Sequence, residues 1–368
     1  MHRWEPWFLF CGDPEFAESQ LLKAFEASSS NAERASLLQL LSRLGAWNSL
    51  ERLLQNHPQL LNQADGRAAL FHWQAAQAHP NPWLALLPSS EQAPFLHQWK
   101  EKLSRDGGPI QVQLSGGLGD QLEGLALMAD LPWRSRLQLV FPAGGEHALA
   151  PLLQQAPSSL QPWRFGSVDP AQPWLSLMAL RAVVADAQWD PQPLALFSDL
   201  RRNEPDPLLV VCWRSKVDLR ERLWAHLRSL PFAKVQAVYR WLLPWAAQQG
   251  VKVLDLTAYR EQETVALHQL PAAQQLSLRA PSLGSLADTA RWVGRAKLVV
   301  SVDTALIHVA HAVGVPRWLL LHRHPDSRWQ QRLQQDGSSD QRELKVLQQT
   351  VQEQWQQPLA QLRAGLGA

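Results

Sequence analysis

The stretch LVVSVDTALIHVAHAVGVPRWLLL, Leu298 to Leu321, decides the fold. It opens with a continuous apolar run, Leu298 to Val302, which predicts a buried strand. A helix is predicted over Thr304 to Val313, with Gly314 at the position just past its end. A second apolar strand, Arg317 to Leu321, follows at once. This order of strand, helix and strand predicts half of a nucleotide-binding parallel sheet.

Polar residues gather at the start of the predicted helix. Asp303 is a good N-cap, and Thr304, His308 and His311 fall at positions i, i+4 and i+7, so they share one face. Thr304 stands at the electropositive end, where a diphosphate would bind, and His308 lies one turn further on. The alternative is that Asp303 only caps the helix while the histidines pack against a neighbour. A metal site from the two histidines lacks a carboxylate.

A second strand, loop and helix unit lies nearer the N-terminus. Ile110 to Leu114 predicts a strand, and the glycine-rich loop Ser115 to Asp120 leads into a helix from about Gln121 to Ala129. Gly117 and Gly119 would let the backbone approach a ligand closely, and the helix N-terminus would attract an anion. Many proteins use such a loop only to turn tightly.

Between these units the chain continues to alternate. Leu208 to Trp213 predicts a strand, Phe232 to Gln249 a long helix, and Val251 to Leu256 the next strand. Arg214 and Lys216 follow the first of these strands, at the edge where open α/β sheets bind ligands. A solvated basic loop is the alternative.

The N-terminal part predicts short amphipathic helices instead. Ala32 to Leu44 and Trp47 to Leu54 have apolar residues at helical spacing on either side of Gly45, which predicts a helical hairpin. The stretch Leu41 to Leu61 resembles one tetratricopeptide unit, although a single unit does not establish an array. A turn-rich cluster at residues 106–109 then predicts a boundary. We expect a helical extension over residues 1–105, followed by domains at 106–205 and 206–368.

Composition limits the classes of function. At 368 residues and 41.5 kDa the chain is too long for one core. The longest apolar runs are too short to cross a bilayer, and two cysteines, Cys11 and Cys212, suit a reducing compartment, so we expect a cytoplasmic protein without a transmembrane segment. The net charge of +2 comes from scattered arginines rather than a dense basic face, which disfavours nucleic acid as a partner.

Several segments together resemble glycosyltransferase family 9, the heptosyltransferase-like group. The resemblance implies an α/β protein of the GT-B kind, with two Rossmann-like domains in addition to the helical extension. It also implies an acceptor on the first domain, a nucleoside-diphosphate sugar on the second, and no metal or other cofactor. The matching segments are SGGLGDQLEGLALMADL (Ser115–Leu131), VCWRSK (Val211–Lys216), RSLPFAKVQAVYRWL (Arg228–Leu242), Leu298–Leu321 and HPDSRWQ (His324–Gln330).

The resemblance also implies roles for individual residues. Asp120 corresponds to the catalytic base, which would take the proton of the acceptor hydroxyl as its oxygen attacks the anomeric carbon with inversion. Thr304, Ala305 and His308 correspond to the diphosphate contacts, and Lys216 to a basic loop. The full set expected to bind the nucleotide sugar is Gly117, Gly119, Arg214, Lys216, Ser301, Asp303, Thr304, Ala305 and His308.

The chain departs from the family pattern at Ala305, where a glycine is usual, and after Trp329. The donor sugar therefore stays open, and a glycan, a lipid-linked glycan or a protein could be the acceptor. A protein partner for the helical extension is a further expectation. The alternative to an enzyme is a degenerate GT-B scaffold that binds a nucleotide or a protein without turnover.

Overall fold

A computed structural model describes residues 14–104, 107–114, 117–144, 146–156, 160, 162–187, 195–215, 222–278, 285–325, 329, 343–350 and 354–368. The helices are α1 (Pro14–Ala27), α2 (Asn31–Leu44), α3 (Trp47–Asn56), α4 (Ala64–Ala76), α5 (Ser89–Ser104), α6 (Leu118–Ala129), α7 (Glu146–Leu153), α8 (Leu177–Asp186), α9 (Arg222–Leu227), α10 (Phe232–Gln248), α11 (Glu261–His268), α12 (Leu286–Val293), α13 (Ala305–Val313) and α14 (Gln356–Leu366). The strands are β1 (Ile110–Gln113), β2 (Leu137–Phe141), β3 (Trp163–Phe165), β4 (Trp174–Ser176), β5 (Leu208–Cys212), β6 (Lys252–Asp255), β7 (Leu276–Leu278), β8 (Leu298–Val302), β9 (Arg317–Leu321) and β10 (Leu344–Gln348).

The chain divides into two compact units. The first comprises Met1–Gly108, Leu175–Asp190 and His324–Ser338, and the second comprises Pro109–Trp174, Pro191–Arg323 and Ser339–Ala368. Helix α8 thus belongs with the N-terminal helices, although it follows the first sheet in sequence. The predicted domains at 1–105, 106–205 and 206–368 stay predictions.

The first unit is built from helices. The predicted hairpin is confirmed: α2 ends at Gly45, which adopts the left-handed conformation at φ 73°, and α3 begins at Trp47. Glycine suits this position because a side chain strains such a backbone. Leu41 and Leu50 are completely buried, so the apolar faces of the two helices form the core. Assignment to a tetratricopeptide repeat stays a prediction.

A four-stranded sheet has the order β3-β2-β1-β4, with β1, β2 and β3 in the second unit. Strands β1, β2 and β3 are parallel, with Ile110 opposite Leu137 and Leu139 opposite Trp163. The chain leaves β1 through the glycine loop and enters α6, whose first residue, Leu118, precedes the predicted start.

The larger sheet has six parallel strands in the order β10-β9-β8-β5-β6-β7. This is the order of a doubly wound nucleotide-binding sheet, with its switch point between β5 and β8. The centre of the sheet is apolar on both faces, and Val210, Val211, Val299 and Val300 are completely buried. The structure therefore confirms the predicted α/β class, with parallel sheets and N-terminal helices. No helix within the described ranges is both long and apolar enough to span a bilayer.

Candidate functional site

The switch point of the larger sheet brings two loops together. Cys212 at the end of β5 pairs with Ser301 near the end of β8, so the residues after both strands meet at the carboxyl edge. Trp213 to Ser215 follow β5, and Asp303 and Thr304 follow β8. In doubly wound sheets the crevice at this point is where ligands bind. Arg214 and Thr304, two predicted site residues, therefore occupy this edge.

Thr304 begins helix α13. Its hydroxyl accepts a hydrogen bond from the Leu306 amide at 3.3 Å, which makes Thr304 the N-cap. The hydroxyl of completely buried Ser301 lies at hydrogen-bond distance, 3.0 Å, from that of Thr304, and this contact holds the capping side chain in place. Ala305 is the first helical residue and is partly exposed. The partial positive charge of the helix terminus thus faces the carboxyl edge of the sheet, where it would attract an anion.

Asp303 does not have the predicted capping role. Because Thr304 occupies the N-cap position, Asp303 lies one residue outside the helix, and only 2% of its surface is exposed. Its Oδ2 atom has no hydrogen-bond partner among the described residues. An unpaired oxygen on a buried carboxylate is costly, and such groups frequently have a functional role.

His308 lies one turn into α13, and its buried ring packs against Gly119 in the first turn of α6. A Cβ atom added to Gly119 would lie 2.7 Å from His308 Cδ2 and 3.2 Å from Nε2. Gly119 is therefore required by the close approach of this ring. The expected contact between His308 and a diphosphate stays a prediction, but the structure places the ring between the two sequence motifs.

Asp120 lies next to this contact, in the first turn of α6. Its Oδ2 atom accepts a hydrogen bond from the Gly117 amide at 2.9 Å, so the carboxylate closes the glycine loop onto the helix. Gly117 is exposed and has an ordinary φ of −71°, and a Cβ added there would have only a 3.5 Å contact with Asp120. The fold therefore does not require glycine at residue 117, in contrast to residue 119.

Arg214 has a protein partner at the carboxyl edge. Its Nη1 atom lies 3.0 Å from both carboxylate oxygens of Glu263, and its Nε donates to the Leu230 carbonyl at 3.3 Å. The guanidinium also lies over the rings of Phe232 and Tyr259, at 5.5 and 5.7 Å from their centroids. A phosphate would have to compete with Glu263 for this cation. Lys216 lies outside the described residues.

A buried polar network that the sequence did not indicate lies beneath this edge. The Asp255 carboxylate is completely buried and accepts hydrogen bonds from Tyr239 Oη at 2.5 Å, Tyr259 Oη at 2.7 Å and the Thr257 amide at 2.7 Å. Burial raises the pKa of Asp255 and the pKa of both tyrosines. Asp255 ends the four-residue strand β6, and a single acidic residue at that position carries no sequence signal for such a network.

A cavity of about 420 Å³ lies beside this network. Its walls come from the loop after β6, from α11 and from β7, and they combine hydroxyl groups with apolar side chains. The lining residues are Thr257, Tyr259, Thr264, His268, Leu276, Ser277 and Leu278. Within the described residues, no group of three or more histidine, cysteine, aspartate or glutamate side chains is arranged to hold a metal ion.

One protein family matches part of the chain. Residues 234–348 match the model of glycosyltransferase family 9 (heptosyltransferase), a span that includes β6, β8 and α13. These residues thus carry the sequence pattern of a glycosyltransferase family. No curated protein sequence matches the chain.

Several solved structures are similar at low identity. The E. coli heptosyltransferase WaaC with ADP-2-deoxy-2-fluoro heptose is 12% identical, with a TM-score of 0.47, and the match covers 71% of this chain and 100% of that one. The E. coli ADP-heptose lps heptosyltransferase II is 14% identical, with a TM-score of 0.47 and coverages of 70% and 98%. A family 9 glycosyl transferase from Veillonella parvula is 12% identical, with a TM-score of 0.45 and coverages of 66% and 86%.

Proposed function

We propose that this protein is a glycosyltransferase that moves a sugar from a nucleoside-diphosphate sugar to a hydroxyl of a glycan, lipid-linked or protein acceptor. The observation that carries the proposal is the position of the α13 N-terminus. Thr304 begins this helix at the switch point of a six-stranded doubly wound sheet, within the segment that matches glycosyltransferase family 9. The donor diphosphate would bind there, because its negative charge is stabilised by the helix terminus.

Two further features support a ligand at this edge. The buried Asp303 carboxylate has an oxygen without a hydrogen-bond partner among the described residues, and a hydroxyl or amine of the donor would satisfy it. The cavity next to Tyr259 lies on the β6 and β7 side of the same sheet, and its mixture of hydroxyl and apolar groups suits a nucleoside. The diphosphate at α13 and the nucleoside toward β6 would follow the carboxyl edge of the sheet.

Asp120 is the proposed catalytic base. In this reaction an acceptor hydroxyl oxygen forms a bond to the anomeric carbon as the bond from that carbon to the diphosphate oxygen breaks. The proton of the hydroxyl goes to Asp120, and the electron pair of the broken bond leaves with the diphosphate. Attack opposite the leaving group inverts the anomeric configuration. The contact between Gly119 and His308 supports this arrangement, because it brings the first turn of α6, which carries Asp120, next to helix α13.

The second candidate is a scaffold that binds a nucleotide without turnover. Two observations favour it: Asp120 already accepts a hydrogen bond from the Gly117 amide, and Arg214 is engaged by both oxygens of Glu263. Both side chains would then serve the fold rather than a reaction. The two candidates share the nucleotide site and differ only in the transfer of sugar.

The Asp120→Asn variant tests the proposal sharply. The asparagine side-chain oxygen can still accept the Gly117 amide hydrogen bond, so the loop is retained while the basic carboxylate is lost. We expect transfer to fall at least about 100-fold, which is the usual contribution of a general base. Affinity for the nucleoside diphosphate should stay within about threefold. Transfer at the wild-type rate would remove Asp120 from the mechanism, and a wild-type protein that binds a nucleotide but transfers no sugar would favour the scaffold.

A further inference from the structure

Three consecutive residues after β5 are each held by a hydrogen bond or an ion pair. The Trp213 amide donates to Thr257 Oγ1 at 2.8 Å, Arg214 pairs with Glu263, and the Ser215 amide donates to Ser229 Oγ at 2.9 Å. Loops are ordinarily the most mobile parts of a fold. These three contacts therefore hold the backbone of Trp213–Ser215 in one conformation at the switch point.

The partner of Trp213 leads directly to Asp255. Thr257, whose hydroxyl accepts from Trp213, donates its own amide to Asp255 Oδ1. The Trp213 indole nitrogen donates to Tyr239 Oη at 2.8 Å, and that hydroxyl donates to Asp255 Oδ2. Both the main chain and the side chain of Trp213 are thus connected to one carboxylate. The loops after β5 and β6 are linked through a closed set of hydrogen bonds.

The partner of Arg214 leads to the same carboxylate. Tyr259 donates its hydroxyl to Asp255 Oδ2 at 2.7 Å, and its ring lies beneath the Arg214 guanidinium. The same guanidinium also packs over the Phe232 ring. The Phe232 and Tyr259 rings are in an edge-to-face arrangement, with their centroids 6.1 Å apart. The hydrogen bond from the Tyr259 hydroxyl to Asp255 therefore fixes the orientation of the ring on which the Arg214 guanidinium packs. Tyr259 and Thr257 also form part of the cavity wall.

Burial of the Asp255 carboxyl group has an unfavourable free energy. A completely buried acid loses its hydration, and apolar side chains of similar volume commonly stabilise a core at least as well. A buried polar group does, however, specify one arrangement of its neighbours, because any other arrangement would leave its hydrogen bonds unmade. The three hydrogen bonds to Asp255 come from α10 and the loop after β6, which are separate segments of the chain.

We infer that Asp255 is a positioning residue for the donor site, and this inference rests on the proposed function. It acts through Thr257 and Tyr259, which fix the loop after β5, on one side of the switch point, against the loop after β6. A donor nucleotide would then meet a preformed edge, and its binding would not have to order these loops. Asp255 itself does not touch the donor.

Two variants test this role with little change in shape. Tyr259→Phe removes the hydroxyl that donates to Asp255 and keeps the ring that packs against Arg214. Asp255→Asn replaces one carboxylate oxygen with an NH₂ group. The matched control is Ser176→Ala, which also removes one hydrogen-bonded hydroxyl, the one that caps α8 in the first unit. The probes are ADP, GDP and UDP, and the readouts are Kd by calorimetry, donor KM and kcat, and amide hydrogen exchange.

We expect Asp255→Asn and Tyr259→Phe to raise Kd and donor KM between about fivefold and fiftyfold, with kcat within about twofold. Ser176→Ala should raise them less than threefold, although the loss of a helix cap lowers the melting temperature. Amide exchange of Trp213 and Thr257 should accelerate in Asp255→Asn with no ligand present. Unchanged exchange at these two amides would overturn the inference whether or not a nucleotide binds. A wild-type protein that binds none of the probes would instead overturn the proposed function.

Discussion

Gly119 and His308 lie so close that a methyl group on Gly119 would be 2.7 Å from the Cδ2 atom of the imidazole ring. Gly119 is the second residue of α6, the helix after β1, and His308 lies in α13, the helix after β8. Each residue comes from one of the two motifs that the sequence singled out. Their contact joins the start of α6, which carries the proposed base, to the helix of the proposed diphosphate site.

Gly119→Ala should lower the free energy of unfolding by about 1–3 kcal/mol, the usual cost of forcing a methyl group into packed space. Gly117→Ala is the control, because its Cβ would make only an ordinary 3.5 Å contact with Asp120 at an unstrained φ. The control should cost less, at most about 1 kcal/mol, because Gly117 is the N-cap of α6 and alanine is a poorer N-cap than glycine. Urea unfolding measures both variants. Equal stability of the two would contradict the close packing of His308, and His308→Ala should restore part of the loss in Gly119→Ala.

The glycine that ends α2 should be equally intolerant of a side chain. Gly45 has a φ of 73°, and a Cβ there would lie 2.3 Å from the ring of His324. Gly367 has nearly the same φ, 70°, with nothing within 4 Å, so Gly367→Ala measures the backbone strain alone. That strain costs about 1 kcal/mol. Gly45→Ala should lose more stability than Gly367→Ala by thermal unfolding, and equal losses would show that His324 does not pack there.

Stability should depend on pH through Asp255. Burial raises the pKa of this carboxyl above its ordinary value of 3.8, so the folded chain keeps the proton to a higher pH than the unfolded chain. The Asp255 contribution to folding is therefore most favourable at low pH and declines as the pH rises through the folded-state pKa. The melting temperature of wild type minus that of Asp255→Asn should therefore fall as the pH rises above the ordinary carboxyl pKa of 3.8. A constant difference would contradict the raised pKa.

Cys212 should be chemically inert in the folded protein. Burial raises the pKa of its thiol to about 11, so only about one molecule in a thousand carries the thiolate at pH 8. In a Cys11→Ser background, iodoacetamide should leave the native chain unmodified over hours and label it within minutes in urea. Mass spectrometry follows the reaction. Rapid labelling of the native protein would show that the carboxyl end of β5 becomes exposed to solvent.

The sequence predicted the strongly apolar elements of the second sheet closely. Strands β8 and β9 have their predicted bounds. Each is a continuous apolar run, and the helix between them ends at Gly314, so the sequence limits where each strand can begin and end. Helix α10 ends one residue before its predicted end. The three-residue strands β3 and β4 were not predicted, since so short a segment becomes a strand only through its neighbours in the sheet.

The candidate site was predictable only in part. Thr304 and the glycine loop follow from local rules for helix ends and turns. The capping error at Asp303 arose because both Asp303 and Thr304 are good N-cap residues, and only the geometry of the helix start decides between them. The pairing of Arg214 with Glu263 joins residues 49 positions apart, which no local pattern records.

The central claim is that the α13 end of the larger sheet binds a nucleoside diphosphate. A calorimetric titration of ADP, GDP, UDP and CMP into the wild-type chain and the Thr304→Val variant tests it most directly, because valine keeps the shape of Thr304 and removes its capping hydroxyl. We predict that one nucleoside diphosphate binds selectively to wild type and at least about tenfold more weakly to Thr304→Val, which corresponds to about 1.4 kcal/mol. Absence of binding by every nucleotide, or equal affinity in the variant, would contradict the account.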